Sequence, residues 1–373
     1  MESRLILVFN VGSSTLKYAL FRDDAGRQIA RGATEYSRAE DCGFAAAELL
    51  EELESKSQLG EIVAVGHRLV HGGLHLRQPV LVDARVRQEL RGLISLAPDH
   101  LPLELRVVDV VSKHLPDCPQ VACFDTAFHS RMPSRSRLFG IPRKLSEAGI
   151  VRYGFHGLSC EYILHMLRKA GRLPERTIVA HLGNGASITA IREGVSIDTS
   201  MGMTPTGGMV MSRRSGDLDP GAVLFMMRAF GFSATDLEQA VDKEGGLLGI
   251  SGHSSDVRTL LANRKTSSQA ADAIEVFCYQ AKKFIGAYAA ALNGLDLLVF
   301  TGGVGENAAE IRAQICEGLD FLSVELDDTR NAKSAETIST DRSRVRVAVI
   351  KTNEEAMIAR HVQDVLADAP IAR

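Results

Sequence analysis

Two arginines, a glycine and two aspartates fall within ten residues in Met211-Ser-Arg-Arg-Ser-Gly-Asp-Leu-Asp-Pro220, directly after the Gly- and Met-rich run Met201–Met209. No helical or strand period fits this stretch, so a loop is expected. Adjacent guanidinium forks on a Gly-rich loop match carboxylate and phosphate oxygens bidentately, which makes an anion the natural ligand. A solvated loop with local Arg–Asp pairs would use the same residues. The functional reading gains from three other polar, Gly-rich turns that follow short apolar runs: Asn10–Lys17, His181–Ser187 and Thr301–Asn307.

Asn10-Val-Gly-Ser-Ser-Thr-Leu-Lys17 offers a glycine turn, three hydroxyls and a lysine beside a strand end. Its backbone N–H groups and hydroxyls suit phosphate, although a plain hairpin needs the same residues. It is not a P-loop, which requires G-x-x-x-x-G-K-[ST] before a helix. Gly303-Val-Gly305-Glu-Asn-Ala308 matches the G-x-G-x-x-G/A fingerprint, with Asp327 and Asp328 some twenty residues on, so a nicotinamide dehydrogenase is the rival from a different class. Such a fingerprint usually opens its domain, whereas this one sits near the end of the chain. Several separate phosphate turns also suit a nucleotide gripped between two domains better.

Asp125 follows the apolar run Val121–Phe124, where a carboxylate can face a cleft or cap a turn. Glu354 and Glu355 could bind a hard cation through oxygen or stabilise a helix N-terminus. His67, His71 and His75 have the spacing of a metal-binding helix face. Gly72-Gly73 and the β-rich Ile62–Val70 oppose a helix there, which makes zinc the weaker reading and Arg68 the more interesting residue.

The elements that must hold these groups alternate between strand and helix, the signature of an α/β protein. Leu5–Phe9, Ile62–Val65, Val121–Phe124, Thr177–Ala180, Leu295–Phe300 and Val345–Ile350 read as buried strands. Phe44–Glu54, Leu101–His114, Ser268–Asn293 and Glu354–Leu366 read as helices, and Thr301–Glu306 as a loop before a helix that starts near Asn307. Strand, glycine turn, strand recurs: Gly12-Ser13-Ser14 overlays Gly185-Ala186-Ser187 with its flanking strands. A repeat offset by nearly half the chain predicts two related domains, 1–126 with 356–373 and 127–355.

At 373 residues the chain exceeds one ordinary core. A net charge of −3 and the lack of tryptophan argue against nucleic-acid binding by basic patches or base stacking. The six cysteines have no C-x-x-C pair, and the N-terminal apolar run is too short for a signal peptide, so a cytoplasmic protein is expected.

In order along the chain, the turns and strand ends resemble those of the acetate kinase family, within the acetate and propionate kinase group. The resemblance is carried by Asn10–Lys17, Gly66-His-Arg-Leu-Val-His-Gly-Gly73, Phe124-Asp-Thr-Ala-Phe-His129, Tyr153-Gly-Phe-His-Gly157, His181–Ser187, Arg214–Pro220, Phe300–Asn307 and Thr352-Asn-Glu-Glu355. It implies the fold shared by acetate and sugar kinases, heat-shock chaperones and actin: two duplicated ribonuclease-H-like α/β domains around a nucleotide cleft, usually in a homodimer. The implied reaction is reversible, Mg2+-dependent phosphoryl transfer between ATP and acetate, with propionate as the alternative acceptor.

By the same resemblance Arg68 and Arg214 grip the carboxylate and the moving phosphoryl group, and Asp125 is the essential carboxylate. His156 and His181 stabilise phosphoryl charge. Asn10, Ser13, Thr15, Lys17, Asn184 and Gly185 lie on the phosphate side. Asp256, Arg258, Gly302, Gly303, Val304, Gly305 and Asn307 lie toward the adenosine. Asn10 and Glu354 support Mg2+, and Val70, Phe155 and Pro205 line the acyl pocket. The chain departs from the family pattern at Thr15 (usually Ser), Cys160 (usually His), Asp99 in Ala97-Pro-Asp-His-Leu-Pro102 (usually apolar) and Thr206-Gly-Gly208 (usually Leu-Glu-Gly). These departures bear on acyl length more than on reaction type, since one methylene is worth only about 1–3 kcal/mol.

Overall fold

The computed structural model describes residues 4–12, 15–23, 26–36, 41–56 and 58–368. It divides into two compact units, one made of Met1–Ser130, Gly157–Tyr162 and Asn353–Arg373, the other of Arg131–His156 and Ile163–Thr352.

The first unit is built on β1 (Leu5–Val11), β2 (Thr15–Arg22), β3 (Gln28–Glu35), β4 (Ile62–Leu69), β5 (Val80–Leu81) and β6 (Gln120–Phe124), in the order β3-β2-β1-β4-β6-β5. β1 and β2 form an antiparallel hairpin in which Asn10 faces Lys17, while β4 and β6 run parallel to β1. Every residue of β1 is buried because helices cover both faces of the sheet. Strand alternation sends Leu5, Leu7, Phe9 and Val11 toward the helices Asp41–Ser55 and Leu101–His114, and Ile6 and Val8 toward the last helix, Glu354–Asp368. Gly66 lets that last helix approach: a Cβ there would stand 2.6 Å from Ile358.

The second unit repeats the design with β7 (Arg176–Leu182), β8 (Ala186–Arg192), β9 (Val195–Thr199), β10 (Leu297–Thr301) and β11 (Arg346–Val349), in the order β11-β10-β7-β8-β9. β7 and β8 pair antiparallel, and β10 runs parallel to β7, as β4 does to β1. The helix Ser268–Leu292 packs on this sheet through a face of Ala273, Phe277, Ala281, Ile285 and Tyr288. The sequence repeat is therefore a repeat of sheet topology, and the chain has the duplicated α/β fold.

The segment after β10 differs from expectation. Thr301–Glu306 is not a loop: a short helix spans Gly302–Asn307, and the next runs over Ala309–Cys316. Gly302 turns the chain with a left-handed backbone (φ 78°), and the Glu306 carboxylate returns to accept the Gly302 N–H at 3.1 Å.

Candidate active site

In the first unit the parallel strands β1, β4 and β6 end side by side, which brings Asn10, Arg68 and Asp125 together. Asp125 is fully buried just past β6, held by its own N–H on the Leu69 carbonyl and by its carbonyl, which accepts the Gly157 N–H. Gly157 has to be glycine, because a Cβ would meet that carbonyl at 2.2 Å. Arg68 reaches across from β4 and donates to Asp125 Oδ2 at 2.5 Å and to the Val11 carbonyl at 3.2 Å. Glu354 lies 3.9 Å from Arg68 Nε. Burial opposes the Arg68 charge, but Asp125 and Glu354 outweigh it and raise its pKa. Asn10 donates from Nδ2 to Glu354 at 3.1 Å and to Glu355 at 2.8 Å.

Two polar atoms in this group are buried with no hydrogen-bond partner, Arg68 Nε and Asp125 Oδ1. One is a cationic donor and the other an anionic acceptor, so the site combines an orphan suited to an anion with one suited to a cation. Val70, two residues beyond Arg68, is buried as well. Lys17 is exposed on β2 opposite Asn10, and Thr15 accepts the Gly12 N–H through its carbonyl at 2.8 Å. Ser13 lies outside the described residues.

The histidines spaced by four do not converge. His67 points into the core, stacked on Phe9 and 2.8 Å from Gln120. Burial pushes its pKa down to about 4. His71 Nδ1 accepts the Gly73 N–H at 2.9 Å.

In the second unit the β7–β8 turn collects another group. The His156 and His181 rings stack at 4.1 Å between centroids, 18° from parallel. His156 Nδ1 lies 3.0 Å from Ser187 Oγ on β8. A Cβ on Gly185 would stand 3.1 Å from His156 Nε2 and 3.7 Å from Arg214 Nη1, so both side chains border the glycine turn. The arginine loop is fastened to that turn, because the Ser212 N–H donates to the Asn184 carbonyl at 3.2 Å. Arg214 Nη1 donates to the Pro205 carbonyl at 3.3 Å. Phe155 is buried beside His156 in the chain.

Because β10 neighbours β7, with Thr301 opposite His181, the Gly302–Asn307 helix starts next to the same turn. A Cβ on Gly302 would meet the Leu182 carbonyl at 2.7 Å, whereas Gly303 faces open space. Gly305 is buried and Val304 is half-buried, while Asn307 caps the Gly303 carbonyl at 2.8 Å. Asp256 and Arg258 hold each other at 2.7 Å at the start of the helix Val257–Asn263. Asp327, needed near a ribose in the dinucleotide reading, instead caps the short helix Asp328–Ala332, well before β11 begins. The G-x-G-x-x-A match therefore lacks its acidic partner.

Sequence reading missed two residues here. Glu306 accepts the N–H groups of Gly302 and Thr352, both at 3.1 Å, which ties the glycine helix to the segment that follows β11. Glu104 is fully buried and accepts the Val70 N–H. Its signal was present: Glu104 sits on the apolar stripe of its helix, with Leu101, Val107, Val108 and Val111.

The model of the acetokinase family matches residues 26–360. The acetate kinase of Methylocella silvestris is 41% identical, covering 96% of this chain and 97% of its own. Among solved structures, a propionate kinase from Francisella tularensis superimposes with a TM-score of 0.90 at 38% identity, covering 96% of this chain and 98% of its own. The acetate kinase of Porphyromonas gingivalis gives 0.88 at 36%, covering 98% and 100%. The fold and these relatives define a kinase that uses ATP to phosphorylate a carboxylate. The chain belongs to the acetokinase family.

Proposed function

We propose that this protein catalyses ATP + acetate ⇌ ADP + acetyl phosphate by direct in-line transfer. The observation that carries the reading is the buried Arg68–Asp125 pair, with Arg68 Nε and Asp125 Oδ1 both lacking a hydrogen bond. An acetate oxygen is already a nucleophile and has no proton to lose at neutral pH. It forms the new P–O bond as the bond from the γ-phosphorus to the bridging oxygen breaks and ADP leaves. Placement and charge neutralisation then supply most of the rate.

Arg68 orients the carboxylate beside the buried, apolar Val70, and by the family resemblance Phe155 and Pro205 also serve the acyl group. Asp125 holds Arg68 in place. Arg214, His156 and His181 offset charge on the phosphoryl oxygens. Asn184 and Gly185, with Ser13, Thr15 and Lys17, serve the phosphates, and Gly302–Gly305, Asn307, Asp256 and Arg258 serve the adenosine side.

Among the described residues no three His, Cys, Asp or Glu side chains form a ready metal cage. Mg2+ seldom needs one, because it binds through one or two carboxylates, water and substrate phosphates. The oxygen donors of Glu354 and Asp125 Oδ1 fit it, with Asn10 bracing the glutamates. When bound, Mg2+ would neutralise charge on the nucleotide phosphates.

The helix Pro220–Ala229 buries none of its residues in its own chain, yet Leu224, Phe225 and Met227, with Phe230 just beyond, are large, apolar and exposed. Such a face supports the homodimer reading. No described helix is long and apolar enough to cross a membrane; the cytoplasmic reading is supported by the six free cysteines, which suit a reducing compartment.

The reaction is tested by trapping acyl phosphate with hydroxylamine from Mg-ATP and acetate, propionate or butyrate. The highest kcat/KM is expected with acetate. Absence of product with all three acids, from folded protein that binds ATP, would refute the reading.

A further inference from the structure

Glu104 lies in the helix Leu101–His114 and is 1% exposed. Both its carboxylate oxygens accept the Val70 N–H, at 3.2 and 3.0 Å. That N–H lies beyond the sheet ladders, since β1 pairs with β4 only as far as Phe9–His67 and β6 only as far as Leu69–Phe124. A buried N–H there needs an acceptor from outside the sheet. A carboxylate is a costly group to bury for that purpose, when a serine or amide oxygen would also accept. Burial pushes the Glu104 carboxyl up to about 8, against the opposing pull of Arg68 and the Val70 N–H. One side chain thus holds the backbone at Val70, two residues beyond Arg68.

We propose that Glu104 is a positioning residue that sets acyl-length selectivity: by holding the Val70 N–H it fixes the apolar wall Val70 presents to the acyl group. The inference rests on the assignment of Val70 to the acyl pocket of a carboxylate kinase. Glu104 touches no reacting atom, so its removal should change acceptor binding and leave the nucleotide side alone.

Glu104→Gln keeps an acceptor for the N–H at nearly constant volume, whereas Glu104→Leu removes it. KM and kcat for acetate, propionate and ATP would be measured by hydroxylamine trapping, with thermal melting as a check on folding. The Leu variant is expected to raise acetate KM roughly tenfold and to shift the acetate-to-propionate ratio of kcat/KM severalfold, with ATP KM unchanged. The Gln variant should keep the wild-type ratio. An unchanged ratio in folded Glu104→Leu would overturn the proposal, as would parallel losses for ATP and acid. If the Leu variant does not fold, Glu104→Asp withdraws the acceptor by one methylene. A shifted ratio there beside a normal Gln variant supports the proposal, and an unshifted one overturns it. Wild-type protein that makes no acyl phosphate fails at the earlier step, so collapse of the kinase reading is distinguishable from failure of the Glu104 role.

Discussion

Apart from the edge strand β5, the sheets of the two units share strand order and pairing sense, yet their strand ends carry different chemistry. In the first, three parallel strand ends bring an arginine, an aspartate and an asparagine into a buried ionic group where Arg68 is 13% exposed and Asp125 not at all. In the second, the corresponding turn is bordered by two stacked histidines and by Arg214, which is half-buried on a loop and rests on the Pro205 carbonyl. The first arrangement builds charge into the core, where stability and function share the same atoms. The second carries its arginine on a loop, half-buried and outside the strands.

That contrast predicts the largest effects. Arg68→Ala should lower turnover by orders of magnitude and also cost about 3–5 kcal/mol of stability, because it strands a buried carboxylate. Arg214→Ala should lower turnover as much while melting stays within a degree or two of wild type. Kinetics paired with thermal melting checks both, and equal melting losses would erase the distinction. Asp125→Ala is expected to follow Arg68→Ala in turnover, since it frees Arg68 from its partner.

The contrast extends to the surface. In the second unit the helix Pro220–Ala229 and Phe230 leave an apolar face uncovered, with Phe225 59% and Phe230 67% exposed. Phe230→Asp should convert a dimer to monomer by light scattering with the fold intact. A wild-type monomer at working concentration would remove the dimer reading.

Much of this was legible before the fold was known. The β1–β2 and β7–β8 hairpins announce themselves because apolar runs lead into glycine turns, and Arg68 and Asp125 stand where such runs end. β3 was missed because its residues are exposed or half-buried, so no alternation marks it. The Gly302–Asn307 helix was missed because three glycines read as a loop, whereas the left-handed turn at Gly302 and the Glu306 cap depend on where β7 and β11 stand. Glu104 was overlooked for a similar reason. Its helix was recognised over the same residues, but a charge on an apolar stripe gains a meaning only once Val70 is seen opposite it.

The two glycine turns can be set against each other with smaller changes. A Cβ on Gly12 would meet the Thr15 carbonyl at 3.4 Å, an ordinary contact, so Gly12→Ala should change activity by less than about threefold. On Gly185 it would press on His156 Nε2 at 3.1 Å, and Gly185→Ala should cost roughly ten- to a hundredfold in kcat/KM by displacing that ring. Similar losses at both positions would show that the turns are used alike.

A last contrast concerns pH and separates two buried groups of the first unit. His67 has its pKa pushed down to about 4, so the stability it gives is full above roughly pH 6.5 and is lost as pH falls toward 4. Glu104 has its pKa pushed up to about 8, so its contribution is present at low pH and is lost as pH rises from roughly 4.5 to 8. Between about pH 4.5 and 6.5 the unfolded chain holds the histidine proton and the folded chain the glutamic acid proton, so these two slopes cancel. Glu104→Gln removes one side of that balance. Its stability should then fall on acidification by up to about 1.4 kcal/mol per pH unit relative to wild type, measured by urea unfolding at pH 6.5 and 5. Parallel wild-type and variant curves would mean that Glu104 stays ionised in the fold, its charge held by Arg68.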